Sequence, residues 1–82
     1  MSAQPVISAE SLNQAMATQR VREFFGKCVA RDHFIASYVG QKCGLTPLAT
    51  LAALAHLLET NEIAVHVSAG GLYWAFSRRG RA

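Results

Sequence analysis

Charge is scarce in this sequence. Only 16% of its 82 residues are charged, against 51% hydrophobic. A domain this small has much surface for its volume, so part of that apolar area is expected in a subunit interface. The net charge is only +3, from eight Lys or Arg against five Asp or Glu. That balance permits contact with nucleic acid without demanding it. No apolar run approaches the roughly 20 residues that span a bilayer. Met1 to Gln14 has neither a basic start nor a long apolar centre, so no signal peptide is read there. A cytoplasmic chain with no membrane partner is expected. There are two cysteines, Cys28 and Cys43, at a spacing that matches no zinc or redox motif. Both sit in apolar patterns and are expected as buried free thiols, with a disulfide or a shared metal as the alternative.

The residues of catalysis are also missing as a set. There is no phosphate-cradling glycine loop, no nucleophile elbow and no pair of catalytic carboxylates. His33, His56 and His66 fall on a loop, a helix and a strand. Gly70-Gly71 reads as a turn. The expectation is a non-enzymatic chain without cofactor or metal.

What is present is a sequence of well-punctuated elements. Residues 1–8 read as a loose tail, 9–77 as one domain and 78–82 as a basic tail. Ser8 can cap a helix starting near Ala9, with Glu10 favourable in its first turn. Leu12, Ala15 and Met16 then lie on one side, and Val21, Phe24, Phe25, Cys28 and Val29 on another. This reads as an accessory helix near Ala9 to Ala17 and a core helix near Thr18 to Ala30. One long helix, its first half packed on a partner, is the alternative. Either way the N-terminal segment is a candidate dimerisation element. Phe34 and Ile35 suit a very short strand. Ala36 to Cys43 suits a helix with Ile35, Val39 and Cys43 facing inward and Gly44 as its stop. Thr46 is a helix N-cap with Pro47 at the first helical position, and that helix runs to about Thr60, with Asn61 in the left-handed terminal conformation.

From Ile63 the period changes from 3.6 to 2. Ile63, Val65 and Val67 alternate with polar or small residues, and after Gly70-Gly71 so do Leu72, Trp74 and Phe76. A Gly-Gly centre between alternating runs marks a hairpin. It sets Val67 opposite Trp74 and Val65 opposite Phe76, with Trp74 in the core and Tyr73 outside.

Helix, short strand, helix, tight turn, helix, hairpin is the order of a winged helix-turn-helix, an α+β and mostly helical fold with three core helices. The segment Val39-Gly40-Gln41-Lys42-Cys43-Gly44-Leu45-Thr46 resembles the helix-turn-helix core. Its small residue, Gly40, stands four places before the turn glycine, where two helices cross closely. Gly71-Leu72-Tyr73-Trp74-Ala75-Phe76 resembles the wing end of small fimbrial-operon regulators of the Pap type. The resemblance covers residues 18 to 77. It implies a third helix that enters the major groove and a wing that touches the adjacent backbone.

The third helix, however, carries no Lys, Arg, Asn or Gln between Pro47 and Glu59. Two registers can be drawn for it. By its most apolar stripe, Leu51, Leu54, Leu57 and Leu58 face inward and Ala49, Ala52, Ala53, His56 and Thr60 outward. By the helix-turn-helix pattern, Thr50, Ala53, Leu54 and Leu57 face inward and Thr46, Leu48, Leu51 and Ala52 stand where bases are read. Neither offers a bidentate reader of guanine or adenine.

Two functions remain open. The first is a small winged-helix DNA-binding regulator or accessory factor, a homodimer, contacting double-stranded DNA through Lys42, Thr46, His56, Arg78, Arg79 and Arg81. Phosphate contacts of this kind give affinity without sequence reading. The alternative is a protein-interaction module on the same fold, a small inhibitor or adaptor. It would dock through Leu48, Ala49, Leu51 and Ala52, with Leu12 and Met16 of the N-terminal segment.

Overall fold

The computed structural model describes residues 9–29, 31–71 and 74–79, with side chains from residue 13 onward. The described residues form a small α+β domain of three α-helices and one three-stranded antiparallel sheet. The first helix, α1 (Ala9–Gly26), is continuous, so the separate accessory and core helices expected from the sequence are one element. Its buried line is Ala17, Val21 and Phe25, at i, i+4 and i+8, while Ala15 and Met16 stay exposed. The helix stops at Gly26, earlier than the pattern suggested, which leaves Val29 outside it and exposed.

After a polar break comes β1 (Phe34–Ile35), then α2 (Ala36–Cys43). Gly44 ends α2 at φ 68, a left-handed conformation that is cheap only without a Cβ. Thr46 caps α3 (Pro47–Glu59), its Oγ1 accepting from the Ala49 amide at 3.2 Å. Asn61 carries the expected positive φ of 61. Three sequence expectations for this segment therefore hold on local geometry.

The α2–α3 crossing is very tight. A Cβ on Gly40 would meet Thr50 Oγ1 at 2.5 Å. Thr50 Oγ1 donates to the Thr46 carbonyl at 2.8 Å, so the hydroxyl at the crossing is satisfied within its own helix. Val39 is fully buried beside Gly40, but Ile35 is exposed and does not join the inner line assigned to it. The core gathers Val21, Phe25, Val39, Ala53, Leu54, Leu57, Ile63 and Phe76. Full burial of such side chains is worth about 1.5–3 kcal/mol each.

The strands β2 (Ile63–Val67) and β3 (Trp74–Arg78) pair in the expected register, Val65 opposite Phe76 and Val67 opposite Trp74. Beyond a two-stranded hairpin, β1 also joins, pairing Phe34 with Phe76, so that β3 is the central strand. At the tip, Gly70 and Gly71 both take positive φ, and the Gly71 amide bonds to the Ser68 carbonyl at 2.8 Å. Two expectations are corrected here. Trp74 is 54% exposed and Val67 52%, although their register and face are as read. Burial fades from Ile63 to Val67 because the hairpin runs past the helices that cover its base. Arg78 is the last residue of β3 and not part of a tail, and the Arg79 amide bonds to the Glu62 carbonyl at 3.1 Å. Residues 1–8, Leu72, Tyr73, Arg81 and the side chain of Leu12 lie outside the described residues.

Candidate functional site

The inner face of α3 is Thr50, Ala53, Leu54 and Leu57. This is the helix-turn-helix register. The register drawn from the most apolar stripe fails at Leu51, which is exposed, and at Ala53, which is buried. The reason is steric. Gly40 and Thr50 come so close that even a Cβ on Gly40 would meet Thr50 Oγ1, a space that admits threonine and not leucine on this line of α3.

The outer face is therefore Leu48, Leu51, Ala52 and Ala55. Leu48 is 79% exposed and Leu51 53%. Two grooves flank it. One, of about 320 Å³, runs between α2 and α3 and includes Ser37, Gln41, Pro47 and Leu51. The other, of about 430 Å³, runs between α1 and α3 and includes Gln14, Ala15, Ala52 and His56. Further along α1, Met16 shares a groove with Thr46 and Ala49. The fold thus joins Leu51, Leu48, Ala52, Ala49 and Met16 into one strip across α3 and α1.

The residues assigned to DNA are not brought together in this way. The Thr46 hydroxyl is already used as the cap of α3. Lys42 lies over the Tyr38 ring, 5.5 Å from its centroid. Tyr38 stacks on Phe34 at 5.5 Å, so Lys42 belongs to the aromatic flank of α2, about 100° around from Gln41 and about 140° from Ser37. His56 opens into the groove toward Arg22 and Thr18. Arg78 and Arg79 sit with Asn61 and Glu62, past the C-terminal end of α3. The 13 residues of α3 separate that end from Thr46 by about 20 Å.

Two clusters were not foreseen from the sequence. The rings of His33 and His66 meet edge to face at 4.3 Å, and His66 Nε2 lies 3.1 Å from the buried Ser77 Oγ. Strand parity held the clue, since His33, Ile35, Ala75, Ser77 and His66 share the sheet face opposite Phe76. Among the described residues no group of three metal-ligating side chains forms. The second cluster is the Arg22–Glu62 ion pair at 2.7 Å, across 40 positions of sequence. Glu62 also accepts from Thr60 Oγ1 at 2.7 Å. The hydrogen bond from Arg22, then that from Thr60, hold the Glu62 carboxyl down at about 2.

The cysteines are free and half-buried. Cys28 Sγ donates to the Phe24 carbonyl at 3.1 Å. Burial pushes both thiols above the ordinary cysteine value, which keeps them protonated and slow to react at neutral pH. No described helix is long and apolar enough to cross a membrane. No family model, curated protein or solved structure matches this chain.

Proposed function

We propose that the chain is a winged helix that acts as a protein-interaction module, a small inhibitor or adaptor, docking through the outer face of α3. One observation carries this reading: Leu51, Leu48, Ala52, Ala49 and Met16, exposed except for the half-buried Ala49, form a contiguous apolar strip whose own side chains offer no hydrogen-bonding reader. Support for the winged-helix layout comes from the element order, the strand order β1-β3-β2 and the Gly40–Thr50 crossing.

The occupant that fits is an apolar helix of a partner protein. Ala52 and Ala55 are small enough to let a second helix axis come within about 8–10 Å, with Leu48 and Leu51 as knobs on either side. Burying Leu48 fully contributes about 1.5–3 kcal/mol, and Leu51, already half covered, about half as much. A strip of this kind on a small domain marks a partner site, and the fold itself does not dictate DNA binding.

The DNA-binding reading predicts something different. Of its basic residues, Lys42 lies on the aromatic flank of α2, while His56, Arg78 and Arg79 lie toward Arg22 and the end of α3, and Leu48 and Leu51 could meet only thymine methyls. Fluorescence anisotropy on duplex DNA, at low and physiological salt, separates the two. The docking module gives at most weak, steeply salt-dependent duplex binding that Leu48→Glu and Ala52→Glu leave in place. Its protein association is salt-indifferent, is lost in those two variants and survives Arg78→Ala/Arg79→Ala. Sequence-selective duplex binding that disappears in Leu48→Glu would overturn the docking reading in favour of a DNA regulator.

A further inference from the structure

Away from the outer face of α3, the described surface presents a His pair, an exposed hairpin tip and a basic cleft. Among the described residues, only Arg78, which lines the cleft, carries a buried side-chain donor without a partner. The cleft measures about 260 Å³ and lies between the end of α1, the end of α3 and the base of the hairpin. Its rim carries Arg22, Glu62, Arg78 and Arg79, and Phe25 and Ile63 are among its apolar lining.

We propose that this cleft binds a phosphate group through Arg78 and Arg79. Arg78 Nε is buried and has no hydrogen-bond partner. Such a donor costs the full desolvation of the group unless an acceptor is supplied. Among the described residues, the one ion pair is Arg22 with Glu62, and the Arg78 and Arg79 side chains make neither ion pair nor hydrogen bond. Glu62 is committed, since it accepts from Arg22 Nε at 2.7 Å, Arg22 Nη2 at 3.1 Å and Thr60 Oγ1 at 2.7 Å. The charges of Arg22 and Glu62 cancel, which leaves those of Arg78 and Arg79.

Helix ends near Gly26 and Asn61 present carbonyls on this side, and these favour basic side chains. None of them accepts from Arg78 Nε, so they account for the charge and not for the open donor. A phosphate monoester brings a charge of about −1.5 to −2 at neutral pH and several acceptor oxygens. A carboxylate brings one charge and would leave the second guanidinium uncompensated. The guanidinium fork suits the phosphate group. The site is independent of docking at α3.

The test is the ³¹P resonance of inorganic phosphate titrated with the whole chain, at ionic strength held constant with chloride. A saturable shift or broadening is expected. Arg78→Lys keeps the charge and the aliphatic stem and removes the Nε–H; Arg79→Gln removes a charge. Each is expected to weaken binding roughly tenfold, with circular dichroism confirming that the variants fold. Leu48→Glu leaves the titration unchanged. Acetate competes weakly. Competition by phosphoserine assigns the natural source to a monoester, and competition by a short duplex assigns it to a nucleic-acid backbone. The proposal is overturned by the absence of a saturable change, by Arg78→Lys binding as well as the natural chain, or by acetate competing as well as phosphate.

Discussion

The two faces of α3 are built from nearly the same residues and meet opposite fates. The inner face is Thr50, Ala53, Leu54 and Leu57, all essentially inaccessible. The outer face is Leu48, Leu51, Ala52 and Ala55, of which Leu48 and Leu51 stand well out into solvent. Hydrophobicity does not distinguish them, and the inner face even contains the one hydroxyl. What distinguishes them is shape. Thr50 fits against Gly40, where a leucine would not, and its hydroxyl is satisfied by the Thr46 carbonyl. An apolar stripe on a small domain is therefore not evidence of core. When a helix has two such stripes, the close contact selects one and leaves the other exposed.

Substitutions can break or sharpen this contrast. The largest effect is expected on the inner face. Leu57→Ala should cost about 2–5 kcal/mol in urea unfolding, as a buried leucine truncated in a packed core. The crossing comes next. Gly40→Ala would gain helix propensity on an open helix, yet here the new Cβ meets Thr50 Oγ1, and a loss of about 1–3 kcal/mol is expected. A double-mutant cycle with Thr50→Ala should recover part of that loss. Purely additive energies would mean that the crossing does not fix the rotation of α3.

Smaller effects bear on the ends of the helix. Thr46→Ala removes the cap on the Ala49 amide and should cost about 1 kcal/mol. At the other end, the folded Glu62 carboxyl titrates near 2, below its ordinary 4.5. Its contribution to stability is complete above about pH 4.5 and is lost as the pH falls toward 2. Glu62→Gln should flatten the melting temperature across that acid window. The variant should melt lower at neutral pH, by an amount reduced because the pair is partly solvated, and like the natural chain near pH 2. The smallest effect is expected on the outer face. Leu48→Glu should move stability by less than about 0.5 kcal/mol, since that side chain is largely in water already. A loss as large as that of Leu57→Ala would erase the distinction between the faces.

Much of the secondary structure was legible because its signals are local. Gly44, the Thr46-Pro47 pair, Asn61 and the Gly70-Gly71 centre each act through the backbone of a few neighbouring residues. The hairpin register followed from that Gly-Gly centre together with side-chain alternation. The site was less legible. The strip on α3 and α1 could be drawn as one of two alternatives, and choosing needed the rotation of α3. The His33–His66 pair and the Arg22–Glu62 pair join residues distant in sequence. Trp74 was placed on the correct face with the wrong burial, because alternation assigns a side and says nothing about whether a helix lies over it.

The sequence by itself determined where most elements begin and end and how the hairpin pairs. Caps, positive-φ turns and side-chain alternation are short-range sterics and hydrogen bonding, and they hold whatever the rest of the chain does. The tertiary structure alone decided which apolar stripe of α3 is core, how far up the hairpin the core reaches, and that Arg78 carries a buried donor without an acceptor. Each of these depends on which surfaces touch, and contact between distant segments is fixed by packing, which an apolar sequence with two equivalent stripes leaves open.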